Sequence, residues 1–153
     1  MSTGFLEKVK ERISIMQGMI RYVGGYIHAR DRILFNAESN KEMISGGTIH
    51  IPELKKYSII TASINSFMTP IFMVKLKGTG STENNFSGGS GFGVYTARLY
   101  LMYEGNDNYK VHLFSIRNVE TGSEIDIANS IYKIFNIRGI EPDKDEILKN
   151  GWR

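Results

Sequence analysis

Cysteine is absent from this chain, proline occurs only 3 times, and nowhere do apolar residues run on long enough to cross a bilayer. The first absence excludes disulfides, thiolate metal sites and a thiol nucleophile, and it leaves the redox compartment open. A bilayer span needs about 18 apolar residues in succession, so membrane insertion is not expected. A secretory leader is not expected either, because Glu7, Lys8, Lys10, Glu11 and Arg12 interrupt the apolar residues between Met1 and Met16. Basic charge is not concentrated. Lys and Arg number 19 against 16 Asp and Glu, net charge is +3, and the closest basic cluster is the pair Lys55 and Lys56. A phosphate-tracking surface needs charge gathered into a stripe, so nucleic acid is not an expected partner. The mild basicity reads as a solubility feature.

What is present suits one domain with its own core: 153 residues, 41% hydrophobic and 23% charged. Residues 5–23 carry a helical pattern. Leu6, Val9, Ile13, Met16, Ile20 and Val23 are spaced 3, 4, 3, 4, 3, an a/d heptad seam. Gly24 and Gly25 are expected to stop the helix. Two readings stay open: an amphipathic helix lying on its own domain, or a short coiled coil joining identical chains. A seam this short is marginal alone and would need the following domain to associate with it.

After Gly25 the period shortens to two. Segments 26–35, 48–51, 57–65, 71–77, 94–104, 109–116 and 131–137 read as strands. In Val94–Glu104 both faces are apolar or aromatic, which predicts a central strand buried on both sides. In Tyr109–Ile116, Val111 and Leu113 share the face opposite Lys110 and His112. Gly105-Asn106-Asp107-Asn108 predicts a hairpin between these two strands, and Thr121-Gly122 a second turn. Residues 78–93 (GTGSTENNFSGGSGFG) read as one long, mobile, outward-facing loop. Many short strands, 16 glycines and one leading helix predict a mainly β chain, an antiparallel β-sandwich or jelly-roll-like head. The expected organisation is a helix over 1–25, the head over 26–140 and a polar extension over 141–153, where Trp152 could dock on a neighbouring surface.

Nothing in the residue pattern points to catalysis or to a cofactor. Phosphate-binding glycine loops open a helix, whereas Gly89-Ser90-Gly91-Phe92-Gly93 runs into a strand with no Gly-Lys-Ser/Thr after it. His28, His50 and His112 lie far apart with no ligand spacing. Glu120, Glu124 and Asp126 cluster at a turn, where carboxylates ordinarily face solvent, and no Gly-x-Ser-x-Gly occurs. Sugar recognition needs aromatic faces beside amides. Two turns offer that mix: Asn84, Asn85 and Phe86 in the glycine-rich segment, and Asn106, Asn108 and Tyr109 at the hairpin.

Two regions carry a resemblance. In RILFNAESNKEMISGGTIHIPELKKYSIITASI (32–64), Leu34-Phe35-Asn36-Ala37, Gly47, Ile49, Leu54, Tyr57 and Ile59-Ile60 resemble a segment in C-terminal head domains of phage tail-fibre and baseplate receptor-binding proteins, of the type that infects Gram-positive bacteria. Residues 131–140, IYKIFNIRGI, are similar to the Ile-x-Lys-Ile-Tyr-Gly-Ile ending of those heads. This chain departs there: Phe135-Asn136 replaces Tyr-Gly, Gly139-Ile140 falls three residues later, and 13 residues follow Ile140. The resemblance implies a non-catalytic, homotrimeric β head that binds host-surface saccharide alongside other tail or baseplate proteins. It further implies a place in the virion, after synthesis in the host cytoplasm without a signal peptide. No binding residue carries over. A purely structural virion or tail assembly component and a cell-wall polysaccharide hydrolase remain the alternatives, the second lacking a carboxylate signature.

Overall fold

The computed structural model describes residues 3–29, 32–36 and 44–144, with only the helical backbone described over 20–29. One helix, α1 (Thr3–Ala29), precedes eight strands: β1 (Arg32–Asn36), β2 (Thr48–His50), β3 (Tyr57–Ile64), β4 (Ile71–Lys75), β5 (Phe86–Phe92), β6 (Tyr95–Gly105), β7 (Asn108–Asn118) and β8 (Ile134–Pro142). Every pairing is antiparallel, in the order β1-β8-β3-β4-β5-β6-β7-β2. The chain is mainly β, and its sheet curls into a half-barrel of sandwich-like character.

Period-two alternation decides what the curl encloses. Ile71 and Met73 of β4 are buried while Phe72 and Val74 face out. On β6, Ala97, Leu99 and Leu101 are buried, whereas Thr96 and Arg98 are exposed and Tyr100 and Met102 half-buried. The expectation of a strand buried on both faces is therefore corrected: only the concave face is covered. Ile60, Ala62 and Ile64 of β3, Phe86 of β5, Tyr109 and Val111 of β7 and Ile134 and Ile137 of β8 join one core cluster. Each fully buried Ile or Leu there contributes about 1.5–3 kcal/mol.

A bulge between Tyr100 and Leu101 changes the phase of β7. Tyr100 pairs with Leu113 and Leu101 with Val111, leaving His112 as the extra residue. Leu113 is thereby turned outward and Phe114 inward, so Val111 and Leu113 do not share a face as their spacing suggests. The predicted hairpin is present. Its two-residue loop, Asn106 (φ 52°) and Asp107 (φ 60°), has the left-handed backbone of a type I′ turn, whose twist matches the strands it joins.

Two expectations about glycine are overturned. Gly24 and Gly25 do not end the helix, which continues to Ala29 and occupies residues expected to begin the first strand. Glycine weakens a helix by ~1 kcal/mol without forbidding it, and α1 lies against β8. The segment 78–93 is not one loop, for its second half is β5, hydrogen-bonded between β4 and β6. At Gly88 a Cβ would stand 1.8 Å from the Phe72 carbonyl oxygen, so only glycine lets β4 approach this closely.

The polar extension also begins later than expected. β8 runs through Pro142, which is buried, and the Lys75 ammonium pairs with Asp143 at 3.1 Å. Trp152 lies outside the described residues.

The outer edge of β7 is closed along its length. β2 pairs with Asn108–Lys110. Gly46 N–H donates to the Val111 carbonyl and Val111 N–H to that of Gly47, both at 2.7 Å. The Ser45 hydroxyl accepts from Phe114 N–H (2.9 Å) and donates to its carbonyl (3.1 Å). Ile125 N–H donates to the Ile116 carbonyl, and Asn118 N–H to that of Ser123.

Candidate recognition groove

On the convex face, register places side chains from four strands in rows. Phe72, Gly89, Arg98 and Ser115 stand opposite one another across β4–β7, and Val74, Ser87, Tyr100 and Leu113 form the next row. Directly opposed residues point to the same side of a sheet. β5 contributes only Ser87, Gly89 and Gly91 to this side, so a channel runs along it with almost no side chain on its floor. Phe72 (60% exposed) and Val74 (53% exposed) form one wall. Arg98, Tyr100 and Met102 form the other, backed by His112 and Leu113. This wall and its floor bound a cleft of about 610 Å³, within the usual range for ligand sites.

The wall is held in place. Asn85 Nδ2 donates to the Tyr100 hydroxyl at 3.0 Å and to the Ser81 carbonyl at 3.2 Å, and Asn85 Oδ1 accepts from Tyr103 N–H at 2.8 Å. The His112 ring meets the Tyr100 ring edge-on, 5.3 Å between centroids. Tyr100 is thus fixed at its tip and along its side.

Positive charge gathers beside this channel. Arg98 also lines a second cleft of about 440 Å³, with Thr96, Ser115, Arg117, Val119 and Glu124. Among the described residues Arg98, Arg117 and Lys110 take part in no ion pair or side-chain hydrogen bond.

The residues singled out by the turn reading fall elsewhere. Phe86 and Tyr109 are fully buried, their rings 6.3 Å apart in the core, and neither can stack on an external ligand. Burial pushes the Tyr109 hydroxyl well above the ordinary tyrosine value, helped by Tyr103 and Asp107. Asn85 is also fully buried and its amide is committed to the hydrogen bonds above. Asn84 (φ 63°) and Asn106 shape tight turns, and Asn108 Oδ1 lies 3.0 Å from His50 Nδ1. The two sets do not form one site, though Asn85 supports the channel from behind. Glu120, Glu124 and Asp126 are exposed, as carboxylates at a turn should be. Among the described residues no three His, Cys, Asp or Glu converge as a metal site.

Of the seam residues, Leu6, Val9, Ile13 and Met16 are 38–61% exposed. Gly18 is the one buried residue in the helix span whose burial is described. The side chains of Ile20 and Val23 lie outside the described residues. Among those residues no helix is long and apolar enough to cross a membrane.

The channel was hidden from sequence reading because its floor is defined by missing side chains. One signal did exist: Thr96, Arg98, Tyr100 and Met102 alternate on one face of β6. Comparison of the chain with family models, with curated proteins and with solved structures finds no match, so the geometry stands without a relative to interpret it.

Proposed function

We propose that this protein is a non-catalytic recognition head of the phage tail or baseplate type, assembled as a homotrimer through α1 and attaching a virion to host-surface saccharide. The observation that carries this reading is the seam's exposure. Four apolar residues at heptad spacing remain exposed in the single chain, and such a stripe is buried when it meets another like it. Leu6, Ile13 and Ile20 take the a positions, with Val9, Met16 and Val23 at d. No d position is leucine, the choice that favours two strands, and exposed Phe5 and Met19 flank the seam and widen it. Three joined heads carry three copies of the convex channel, and simultaneous engagement of weak sites can raise avidity by ~10²–10⁴.

Sedimentation of the intact chain tests the assembly. The parent should run near three times the 17.3 kDa chain mass. Ile13→Asp with Met16→Asp puts carboxylates on positions already exposed in a single chain, so the head keeps its circular dichroism. In a buried seam the same charges cost several kcal/mol, and the variant should sediment as a monomer with weakened attachment to host cells. A parent that is itself monomeric at tens of micromolar overturns the reading.

A further inference from the structure

We propose that the convex face of β5–β7 binds an anionic sugar, its ring lying over Ser87 and Gly89 and its phosphate or carboxylate held between Arg98 and Arg117. The inference deepens the recognition reading and rests on it.

Register sets the cationic part. Arg98 pairs with Ser115, and Thr96 with Arg117, so the two arginines are diagonal neighbours on one face, with backbones about 7–8 Å apart. Two unpaired guanidiniums so close repel each other. Glu124 stands directly opposite Arg117 in an isolated antiparallel bridge and borders the same cleft, so it offsets part of that repulsion, though it forms no ion pair to either arginine. An anion between them converts that repulsion into two charge-assisted contacts, and the planar guanidinium fork suits both phosphate and carboxylate. The hydroxyls of Thr96 and Ser115 sit beside both arginines and add neutral donors.

Continuity sets the ring. Arg98 lines the channel and the arginine cleft together, so a group bound at one leads into the other. Gly89 leaves the channel floor at backbone height, with Phe72 and the tethered Tyr100 as flanking apolar edges. Sugar C–H faces are apolar enough to lie against such walls while their hydroxyls reach the Ser87 hydroxyl and solvent. Nucleic acid fits less well, because its regularly spaced phosphates would need a longer cationic track than these two residues supply.

Titration calorimetry of the intact protein separates the alternatives, using a methyl hexoside, its 6-phosphate, the corresponding uronate and inorganic phosphate as probes. At least one anionic sugar should bind about tenfold more tightly than the neutral hexoside. Arg98→Ala and Arg117→Ala should each remove about that factor without lowering the melting temperature, since both side chains are exposed and unpaired. Gly89→Leu fills the channel floor, and it should weaken the sugar anion but not inorganic phosphate. Its added Cβ lies 3.1 Å from the Ala97 carbonyl oxygen, so its melting temperature is checked alongside. Equal binding of neutral and anionic sugars, unaffected by the arginine variants, overturns this site and leaves the recognition reading intact. A sugar phosphate that binds no more tightly than inorganic phosphate and is unaffected by Gly89→Leu overturns the ring. Failure of every probe, together with failure of the trimer to attach to host cells, overturns the recognition reading itself.

Discussion

Asn85→Ala should cost the head much of its stability, and the size of the loss follows from three hydrogen bonds. The side chain is fully buried. Its amide donates to Tyr100 and to the Ser81 carbonyl, and its oxygen accepts the Tyr103 N–H at 2.8 Å. A buried intramolecular hydrogen bond contributes about 1–1.5 kcal/mol net, and a donor left unpaired in the interior loses more. Removing all three should destabilise by about 3–4 kcal/mol. For a domain of this size each kcal/mol moves the melting temperature by about 2–4 °C, so the transition should fall by roughly 10 °C. The assay is thermal unfolding followed by circular dichroism, with parent and variant at one fixed concentration because association also shifts the midpoint. The reasoning fails if the variant melts within 2 °C of the parent, as an exposed turn residue would, since surface substitutions usually stay within about ±0.5 kcal/mol. A stable variant with lost binding would return Asn85 to the role of a ligand contact.

Other outcomes follow from the backbone and from one titration. Gly88→Ala should destabilise by about 1–3 kcal/mol or more, because its Cβ meets the Phe72 carbonyl at 1.8 Å, while Gly89→Ala, at 3.1 Å from its nearest neighbour, should cost less than half as much; urea midpoints compare them. Asp107→Gly should stabilise the hairpin by about 0.5–1 kcal/mol, since Asp107 holds φ 60° and glycine takes that conformation without strain. The folded-state pKa of Tyr109 is raised by burial above the ordinary value of 10.0. Its contribution is therefore complete below pH ~10 and is lost as the pH climbs above that value. Melting temperatures measured from pH 9 upward should fall, and Tyr109→Phe should flatten the fall.

Much of the sheet was legible because most strands carry alternating apolar side chains. β6 and β7 announce themselves this way, and Gly105–Asn108 supplies residues that tolerate the required turn. β5 does not, because Ser87-Gly88-Gly89-Ser90-Gly91 offers no hydrophobic period, and its place is decided by neighbours on both sides. The end of α1 is not legible for a related reason: local propensity favours a stop at Gly24-Gly25, and the helix continues through both to Ala29. Phe86 shows the limit for sites. An aromatic among Asn, Ser and Gly looks exposed along the chain, yet its pairing with Leu101 points it into the core. Tyr109 was more readable, since it lies two residues from buried Val111. The channel itself depends on cross-strand register, which one strand's composition does not encode.

The closed margin of β7 bears on how this chain can meet its own copies. An unpaired strand edge is an open template, and any second molecule that pairs with it exposes the next edge in turn, so growth has no natural end. Here Ser45 imitates a neighbouring strand with one hydroxyl that both accepts and donates, and residues 46–47 and 123–125 occupy the positions beside it. Strand addition directly onto that stretch of β7 is thereby closed off. In the proposed assembly, by contrast, a seam of a few heptads fills when its complement of helices is met, so the number of molecules it joins is finite.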